Sequence, residues 1–161
     1  MGLSEILSPD RVSVAGEAEG VVRTSAEAIR RLSVLLATRQ TVITPDEVEA
    51  LLGERERVQS TGVGGGVAIP HGSLDRLDRT LGAVLICPRP IAFDAIDGAP
   101  VSILFAVIGH KRATGEHLKT LARVSRLLRP DTFRERLIAA GSGREAYDII
   151  VAEEGGGPLP A

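Results

Sequence analysis

The sequence predicts one α/β (α+β) domain with three layers, in which helices pack on a central sheet. Three observations favour this fold class. Helix-start signals recur along the chain, short Val- and Ile-rich runs bounded by Gly and Pro occupy its middle, and the elements follow the order of two helices, then strands, then three helices. A regular βαβ repeat would alternate instead. With 161 residues, of which 43% are apolar, the chain can bury one hydrophobic core.

Two amphipathic helices are predicted ahead of the strands. The first begins after Thr24, which stands three residues before Glu27 in the spacing of a capping box. The second begins after Thr44, with Pro45 at its first position and Glu47 completing the same spacing. Apolar residues recur on one face of each helix: Ala28, Ile29, Leu32, Leu35 and Leu36 in the first, and Val48, Leu51 and Leu52 in the second.

Three short apolar runs are predicted to be strands: GVAI at 66–69, TLGAVLIC at 80–87 and PVSILFAVIG at 100–109. Their apolar residues are continuous rather than alternating, which is typical of strands buried on both faces. The one cysteine of the chain, Cys87, lies in the second run and is expected to be buried. A single cysteine excludes an intramolecular disulfide and a cysteine-based metal site.

Three further helices are predicted over residues 116–128, near 133–140 and near 144–152. Thr114, Asp131 and Ser142 are the expected N-caps, and Ser142 has capping-box spacing to Glu145. We expect a single domain over residues 1–152, because we find no internal repeat and no interdomain linker. The remaining residues, 153–161, end in GGGPLPA and are expected to form a disordered tail.

Charge and composition argue against several kinds of partner. The 19 basic and 21 acidic side chains give a net charge of −2, so no strong field attracts nucleic acid or an anionic membrane. Aromatic residues make up 2% of the chain, which offers little surface for stacking bases. The N-terminus lacks the pattern of a secretory signal, and no apolar run approaches the length of a membrane span. We therefore expect a cytoplasmic protein that binds no nucleic acid and does not insert into a membrane.

The stretch TGVGGGVAIPHG, residues 61–72, places four glycines ahead of a histidine. It does not fit a nucleotide-binding loop, because Val67 stands where a dinucleotide fingerprint needs glycine and no Gly-Lys-Ser/Thr follows. Two interpretations remain. The glycines either form a flexible connector between a helix and a strand, or they let backbone amides approach an anion and a partner.

Three side chains in and around this stretch fit the chemistry of a phosphoryl group. His71 follows Pro70 at the end of an apolar run, where a neutral imidazole can act as a nucleophile. With Thr114 as N-cap, His117 lies in the first turn of a helix, whose amides and dipole attract anions and disfavour protonation of the ring. Arg55 can bind phosphate oxygens through two N–H groups. Each also has a plain interpretation: a surface histidine in a turn, a structural histidine at a helix start, and a solvated arginine.

Taken together, these three residues predict a site that accepts a phosphoryl group and binds its oxygens without a metal or another cofactor. A metal-dependent hydrolase that uses His71, His117 and His110 is a weaker alternative. No His-x-x-x-His pair occurs, and no carboxylate is clearly placed to complete a ligand set. Stoichiometric metal in the purified protein would favour this alternative.

The run RERVQSTGVGGGVAIPHG, residues 55–72, resembles the active-site segment of the EIIA domains of the phosphoenolpyruvate-dependent sugar phosphotransferase system (PTS). The resemblance is to the type-2 class, which includes the fructose, mannitol and nitrogen-regulatory EIIA domains. FDAIDGAPVSILFAVIG at 93–109 and ATGEHLKTLARVSRLL at 113–128 resemble the next two signatures of that family. The spacing of Arg55, His71 and His117 also agrees with the family, and the likeness covers almost the whole chain.

The resemblance implies a mixed β-sheet flanked by helices and a phosphoryl carrier, a component of a phosphotransferase. It implies that Nε2 of His71 receives the phosphoryl group from phospho-HPr or its nitrogen-branch equivalent, NPr. His117 would hydrogen-bond to the phosphoryl group, and Arg55 would bind its oxygens. The group would then pass to a cysteine of an EIIB domain. Alternatively, the phosphorylation state would regulate a partner protein, which fits a chain with no fused EIIB or membrane EIIC domain.

Two departures from the family pattern concern positions near these residues. The family often has glycine where Gln59 stands. It also often has a Pro- or acid-containing link where GHKR occurs at 109–112, just before the helix that carries His117. If this basic loop borders the docking surface, the choice of partner could differ from the usual one.

Overall fold

The computed structural model describes residues 2–155, which form one six-stranded sheet covered by helices. Two short 3₁₀ helices, Leu3–Glu5 and Pro9–Arg11, begin the chain. The strands are β1 (Val12–Val14), β2 (Gly62–Gly64), β3 (Val67–Ala68), β4 (His71–Ser73), β5 (Leu81–Ile91) and β6 (Val101–Gly109). The helices are α1 (Ser25–Ala37), α2 (Pro45–Val58), α3 (Thr114–Leu127), α4 (Asp131–Ile138) and α5 (Gly143–Glu154).

The sheet is mixed, as the family resemblance implies. Its order is β1-β5-β6-β3-β2, and β4 also pairs with β6. Strand β5 is antiparallel to β6, whereas β1 is parallel to β5, and β3 and β4 are both parallel to β6. Strands β3 and β4 therefore follow one another along the same side of β6.

Helices cover both faces of the sheet, so its central strands are buried on both sides, as predicted. Along β6, Leu104, Ala106 and Ile108 belong to the core shared with α1 and α2. The alternating residues Ile103, Phe105 and Val107 belong to the core shared with α3, α4 and α5. All of β6 is buried, and so is the first part of β5, which includes Cys87.

Three predicted helix starts are confirmed by their caps. The hydroxyl oxygens of Thr24, Thr44 and Ser142 accept hydrogen bonds from the backbone N–H groups three residues later, at 3.1, 3.2 and 3.1 Å. Each bond satisfies one of the free N–H groups of a first helical turn. Pro45 occupies the first position of α2, as its sequence indicates.

Two predicted N-caps are wrong by one residue, because Thr114 and Asp131 are the first residues of α3 and α4. Their side chains have other partners: Thr114 Oγ1 donates to the carbonyl of Lys111 at 3.3 Å, and the Asp131 carboxylate pairs with Arg134. At the C-terminus, α5 continues to Glu154. Of the predicted tail, residues 156–161 lie outside the described part of the chain. Within residues 2–155, no helix is long and apolar enough to cross a membrane.

The glycine stretch forms a β-hairpin between β2 and β3, which corrects the interpretation as a flexible connector, and Gly62 lines the cleft of His71. Gly64, Gly65 and Gly66 have φ angles of +95°, +66° and +78°, a region that glycine enters without steric cost. The turn is also tied down, since the N–H of Gly65 donates to Asp97 Oδ2 at 3.1 Å. These three glycines are needed for the shape of the turn, and none of them lines the cleft that contains His71.

Candidate functional site

His71 lies at the start of β4, on the face of the sheet that α3 covers. The pairing register with β6 is the same in β3 and β4, since Val67 is opposite Ile103 and His71 is opposite Val107. Side chains two residues apart in such a register point to one face of a sheet. Val67 and Ile69 pack in the core beneath α3–α5, so the half-buried imidazole of His71 belongs to that face.

One hydrogen bond decides which nitrogen of His71 can react. Nδ1 lies 2.7 Å from the carbonyl oxygen of Ile69. A carbonyl oxygen can only accept, so Nδ1 must carry the proton of the neutral ring. Nε2 then has the free lone pair, which makes it the nucleophilic atom of this imidazole.

The ring of His117 faces that of His71. The ring centroids are 5.8 Å apart, and the ring planes are tilted by 54°. His117 is the fourth residue of α3 rather than the third, and its own N–H already donates to the carbonyl of Ala113 at 2.9 Å. Its contribution to an anion site therefore comes from the side chain and not from a free backbone amide.

The protonation of His117 follows from its surroundings. Its Nδ1 is buried and has no hydrogen-bond partner among residues 2–155, and a Cβ on Gly109 would lie 3.6 Å from it. A buried bare lone pair is tolerated better than a buried unpaired N–H, which favours the proton on Nε2. Burial and the nearby His71 both lower the pKa of His117. The ring is therefore a neutral donor through Nε2–H near pH 7.

Arg55 and His71 line the same cleft, which has a volume of about 570 Å³. Arg55 Nη1 donates to the carbonyl of Gln59 at 2.8 Å, which holds the guanidinium at the end of α2. Within residues 2–155 its other N–H groups have no hydrogen-bond partner and can bind an anion. Gln59 has extended backbone (φ −165°), so this position does not require the glycine that is frequent in the family.

Gly72 has a packing role next to His71. A Cβ at this position would lie 2.8 Å from Cγ of Leu51, which belongs to α2. The missing side chain lets α2 approach β4 closely. Because α2 carries Arg55 and β4 begins with His71, Gly72 helps to bring these two side chains to one cleft.

Exposed apolar residues lie around the cleft, and no motif in the sequence predicts a function for them. Val63 and Ile96 line it and are 52% and 83% exposed, and Leu118, next to His117, is 61% exposed. We call these three residues the apolar rim. Leu118 lies off the buried face of α3, and Ile96 lies in the connection between β5 and β6, so each is an apolar residue in a position that usually favours a polar one.

The basic loop at 109–112 is a compact turn between β6 and α3. Nδ1 of His110 accepts a hydrogen bond from the N–H of Arg112 at 2.9 Å, and the carbonyl of His110 accepts one from Ala113 at 3.1 Å. His110 does not line the cleft of His71. Across residues 2–155, no group of three or more His, Cys, Asp or Glu side chains is arranged to hold a metal ion.

The mixed sheet flanked by helices, and the two histidine rings close together beside a cleft, agree with the EIIA class of domain that the sequence resemblance implies. Residues 7–153 match the family model described as "Phosphoenolpyruvate-dependent sugar phosphotransferase system, EIIA 2", and the chain therefore belongs to this family.

Relatives and solved structures agree with this assignment. The nitrogen regulatory protein of Escherichia coli (strain K12) is 43% identical over 121 residues, which cover 74% of each chain. The crystal structure of the nitrogen regulatory protein IIA-Ntr from Neisseria meningitidis superimposes with a TM-score of 0.81 at 32% identity, over 92% of this chain and 98% of that one. The E. coli mannitol enzyme IIA, solved in complex with phosphorylated enzyme IIB, has a TM-score of 0.67 at 21% identity, over 81% of this chain and 89% of that one, and it shows the shared fold.

Proposed function

We propose that this chain is a phosphoryl carrier in which Nε2 of His71 accepts the phosphoryl group. The observation that carries the proposal is the hydrogen bond from Nδ1 of His71 to the carbonyl of Ile69, at 2.7 Å, with the ring of His117 beside it. This bond leaves the lone pair of Nε2 free, and the nearby ring of His117 supports a role for the second imidazole in binding the new group. PTS EIIA-type domains interact with phosphodonor and EIIB partners. For this chain, the donor would be phospho-HPr or phospho-NPr.

The transfer needs no general base, because Nε2 of the neutral ring carries no proton. The bond from phosphorus to the leaving atom of the donor breaks as the Nε2–phosphorus bond forms, and the electron pair of the broken bond stays with the donor. The Nδ1 proton remains on the ring. The imidazole thereby becomes cationic, and the carbonyl of Ile69, which accepts from Nδ1–H, stabilises this charge.

The oxygens of the phosphoryl group on His71 need hydrogen-bond donors from neighbouring side chains. Nε2–H of His117 and the guanidinium of Arg55 are the groups that would bind them. Both act without changing their own protonation, since His117 is neutral and Arg55 remains charged. Such fixed donors stabilise the transferred group at its arrival and again at its departure.

A protein partner fits the apolar rim of Val63, Ile96 and Leu118. Large exposed apolar side chains grouped around a reactive residue are typical of docking surfaces. A phosphodonor protein bound to the apolar rim would also exclude water from the phosphoryl group during transfer. Because the phosphoryl group comes originally from phosphoenolpyruvate, we place this exchange in the cytoplasm.

We favour a regulatory output, in which the phosphorylation state of His71 controls a partner protein. The supporting observation is the 43% identity to a nitrogen regulatory protein. The second candidate output is transfer to an EIIB cysteine in sugar uptake, which is supported by the description of the family as a sugar phosphotransferase system. Cys87 is no substitute for that cysteine, since it is buried in β5.

The carrier proposal is tested by phosphorylation in a purified system. The chain is incubated with phosphoenolpyruvate, enzyme I and either HPr or NPr from the same source, and the phosphoryl groups per chain are counted by intact mass. We expect one acid-labile group, none in His71→Ala, and full labelling in the matched control His110→Ala. No label with either donor, or label that survives His71→Ala, would contradict the proposal.

The two outputs are separated by their acceptors. Phosphorylated protein is mixed with EIIB domains from the same source, and loss of the label is followed over time. In parallel, partners are captured with His71→Ala and with a phosphomimetic His71→Asp. Identical partner sets together with rapid discharge to an EIIB domain would exclude the regulatory output, whereas different sets without discharge would support it.

A further inference from the structure

A second group of arginines lies outside the cleft of His71. It lines a cavity of about 430 Å³ formed by Arg11, Arg39, Arg79, Asp10, Ser8 and Gln40 together with Pro9. We propose that this cavity, the arginine cavity, binds the phosphate group of a small molecule. The proposal does not depend on the phosphorylation of His71, and it concerns residues that the carrier function does not use.

Arg11 forms the buried part of the cavity and has an unused donor. It is 8% exposed. Its Nε donates to the carbonyl of Gly82 at 3.1 Å and its Nη2 donates to the carbonyl of Ile6 at 3.0 Å, so two backbone groups fix the guanidinium. Nη1 has no hydrogen-bond partner among residues 2–155. Nη1 is not one of the buried unpaired atoms, so it is open to the solvent of the cavity, and an anion entering the cavity would pair with it.

The charge of the cavity is unbalanced. Three guanidinium groups face one carboxylate, that of Asp10. This carboxylate is already engaged, since Oδ2 accepts from Arg39 Nε at 2.9 Å and Oδ1 accepts from the hydroxyl of Ser8. Arg79 makes no hydrogen bond or ion pair in the described part of the chain. The excess of positive charge corresponds to a dianion, the main form of a phosphate monoester at neutral pH.

The end of α1 sets the position of Arg39 in the cavity. Arg39 has a φ angle of +62°, in the left-handed region that non-glycine residues seldom adopt. It follows the last turn of α1, and from this position its side chain reaches Asp10. A single left-handed residue just after the C-cap is a common way for a helix to end, and here it directs the Arg39 side chain toward Asp10.

Phosphate fits these donors better than a planar dicarboxylate does. The guanidinium groups come from three separate segments, near residues 11, 39 and 79, and a tetrahedral group offers oxygens in several directions. Guanidinium groups bind phosphate oxygens in pairs through their fixed N–H geometry. A volume of about 430 Å³ exceeds that of a phosphate ion, so the rest of a small metabolite also has room.

The arginine cavity and the phosphoryl site lie beside nearby strands of the same sheet, so a binding experiment needs controls for both sites. Gly82, whose carbonyl binds Arg11, pairs with Val107, and Val107 is opposite His71. Two strand spacings separate these positions, roughly 10 Å. Phosphate added to the protein could enter either site, so variants of both sites are needed.

Inorganic phosphate is titrated into the ¹⁵N-labelled full chain at constant ionic strength, and backbone amide shifts are followed by NMR. We expect saturable shifts at residues 8, 10–11, 39–40 and 79–82. Arg79→Ala should weaken the apparent affinity about tenfold, through loss of a charge-assisted contact. Arg39→Ala should weaken it as well, while Arg55→Ala and the exposed control Arg89→Ala should leave it unchanged. Arg39 and Arg79 are exposed, so both variants should keep the wild-type Tm without phosphate.

Four results would overturn the proposal. The first is a set of saturable shifts confined to residues 55–62, 71 and 117, which would assign the phosphate to the cleft of His71. The second is unchanged affinity in both Arg39→Ala and Arg79→Ala. The third is equal or tighter binding of malate, which would assign the cavity to a dicarboxylate instead of phosphate. The fourth is equal shifts with sodium chloride alone, which would show that the shifts arise from charge screening.

Discussion

The imidazole of His71 is held at one nitrogen, and that single contact determines its chemistry. The residues around His71 predict a nucleophilic imidazole but do not show which nitrogen has the free lone pair. That depends on the hydrogen bond from Nδ1 to the backbone carbonyl of Ile69. Backbone acceptors have no signature in a sequence. The pairing of His71 with His117 is equally hidden, since it arises only when β4 and α3 meet on one face of the sheet.

The lowered pKa of His117 predicts how stability depends on pH. Burial first, and then the nearby His71, favour the neutral ring in the folded state. The stabilising contribution is therefore present above the unfolded pKa of about 6.5 and is lost as the pH falls through the folded value. We expect the wild-type protein to lose more free energy of unfolding between about pH 7.5 and 5 than His117→Gln does. Denaturant titrations across this range measure it, and parallel curves for both proteins would refute the assignment.

Cys87 should be unreactive in the native protein. Burial raises the pKa of its thiol to about 11, so almost no thiolate exists near neutral pH, and the sulfur is inaccessible within β5. A thiol reagent at pH 8 should modify the chain only after a denaturant is added. Full modification of the native protein within minutes would show that β5 opens far more easily than its burial implies.

Long elements were predictable and short ones were not. Helices α1 and α2 and strands β5 and β6 have caps or continuous apolar runs that the sequence displays directly. Strands β1, β2 and β4 have three residues each, too few for a periodic pattern, and they exist because of their partners in space.

The packing of α5 on β1 gives a matched pair of glycine substitutions. A Cβ on Gly143, the first residue of α5, would lie 2.0 Å from the carbonyl oxygen of Val12, and neither backbone can yield easily. Gly143→Ala should therefore reduce the free energy of unfolding by about 3 kcal/mol or more. Gly53 lies inside α2 with nothing within 4 Å of the added Cβ. Gly53→Ala should stabilise by about 0.5–1 kcal/mol, and equal effects of the two changes in urea denaturation would contradict this packing.

At the scale of the molecule, the cleft of His71 combines polar and charged donors with exposed apolar side chains around them. A surface of this kind serves exchange with a protein better than binding of a free small molecule, since the apolar rim has no use in holding phosphate alone. Sequence composition gave no hint of it. The residues of the apolar rim, Val63, Ile96 and Leu118, come from three segments that are distant in the sequence and meet only in the fold.

Ile96, the most exposed member of the apolar rim, allows a test of docking. Ile96→Asp should raise the KM for phospho-HPr or phospho-NPr about tenfold, because a charge replaces an apolar contact, with little change in Tm. Val42→Asp is the matched control: this residue is 48% exposed but does not line the cleft. Initial rates of phosphorylation at varied donor concentration give the comparison. Equal KM values for both variants and the wild type would place the docking surface elsewhere.

The most direct measurement of the carrier chemistry is the position of the nitrogen–phosphorus bond. The chain, labelled with ¹⁵N in its histidine rings, is phosphorylated by the donor proteins, and long-range ¹H–¹⁵N and ³¹P NMR spectra are recorded. We predict one phosphoryl group, bonded to Nε2 of His71, with Nδ1 still protonated. A phosphoryl group on Nδ1 of His71, or on the ring of His117 or His110, would contradict it.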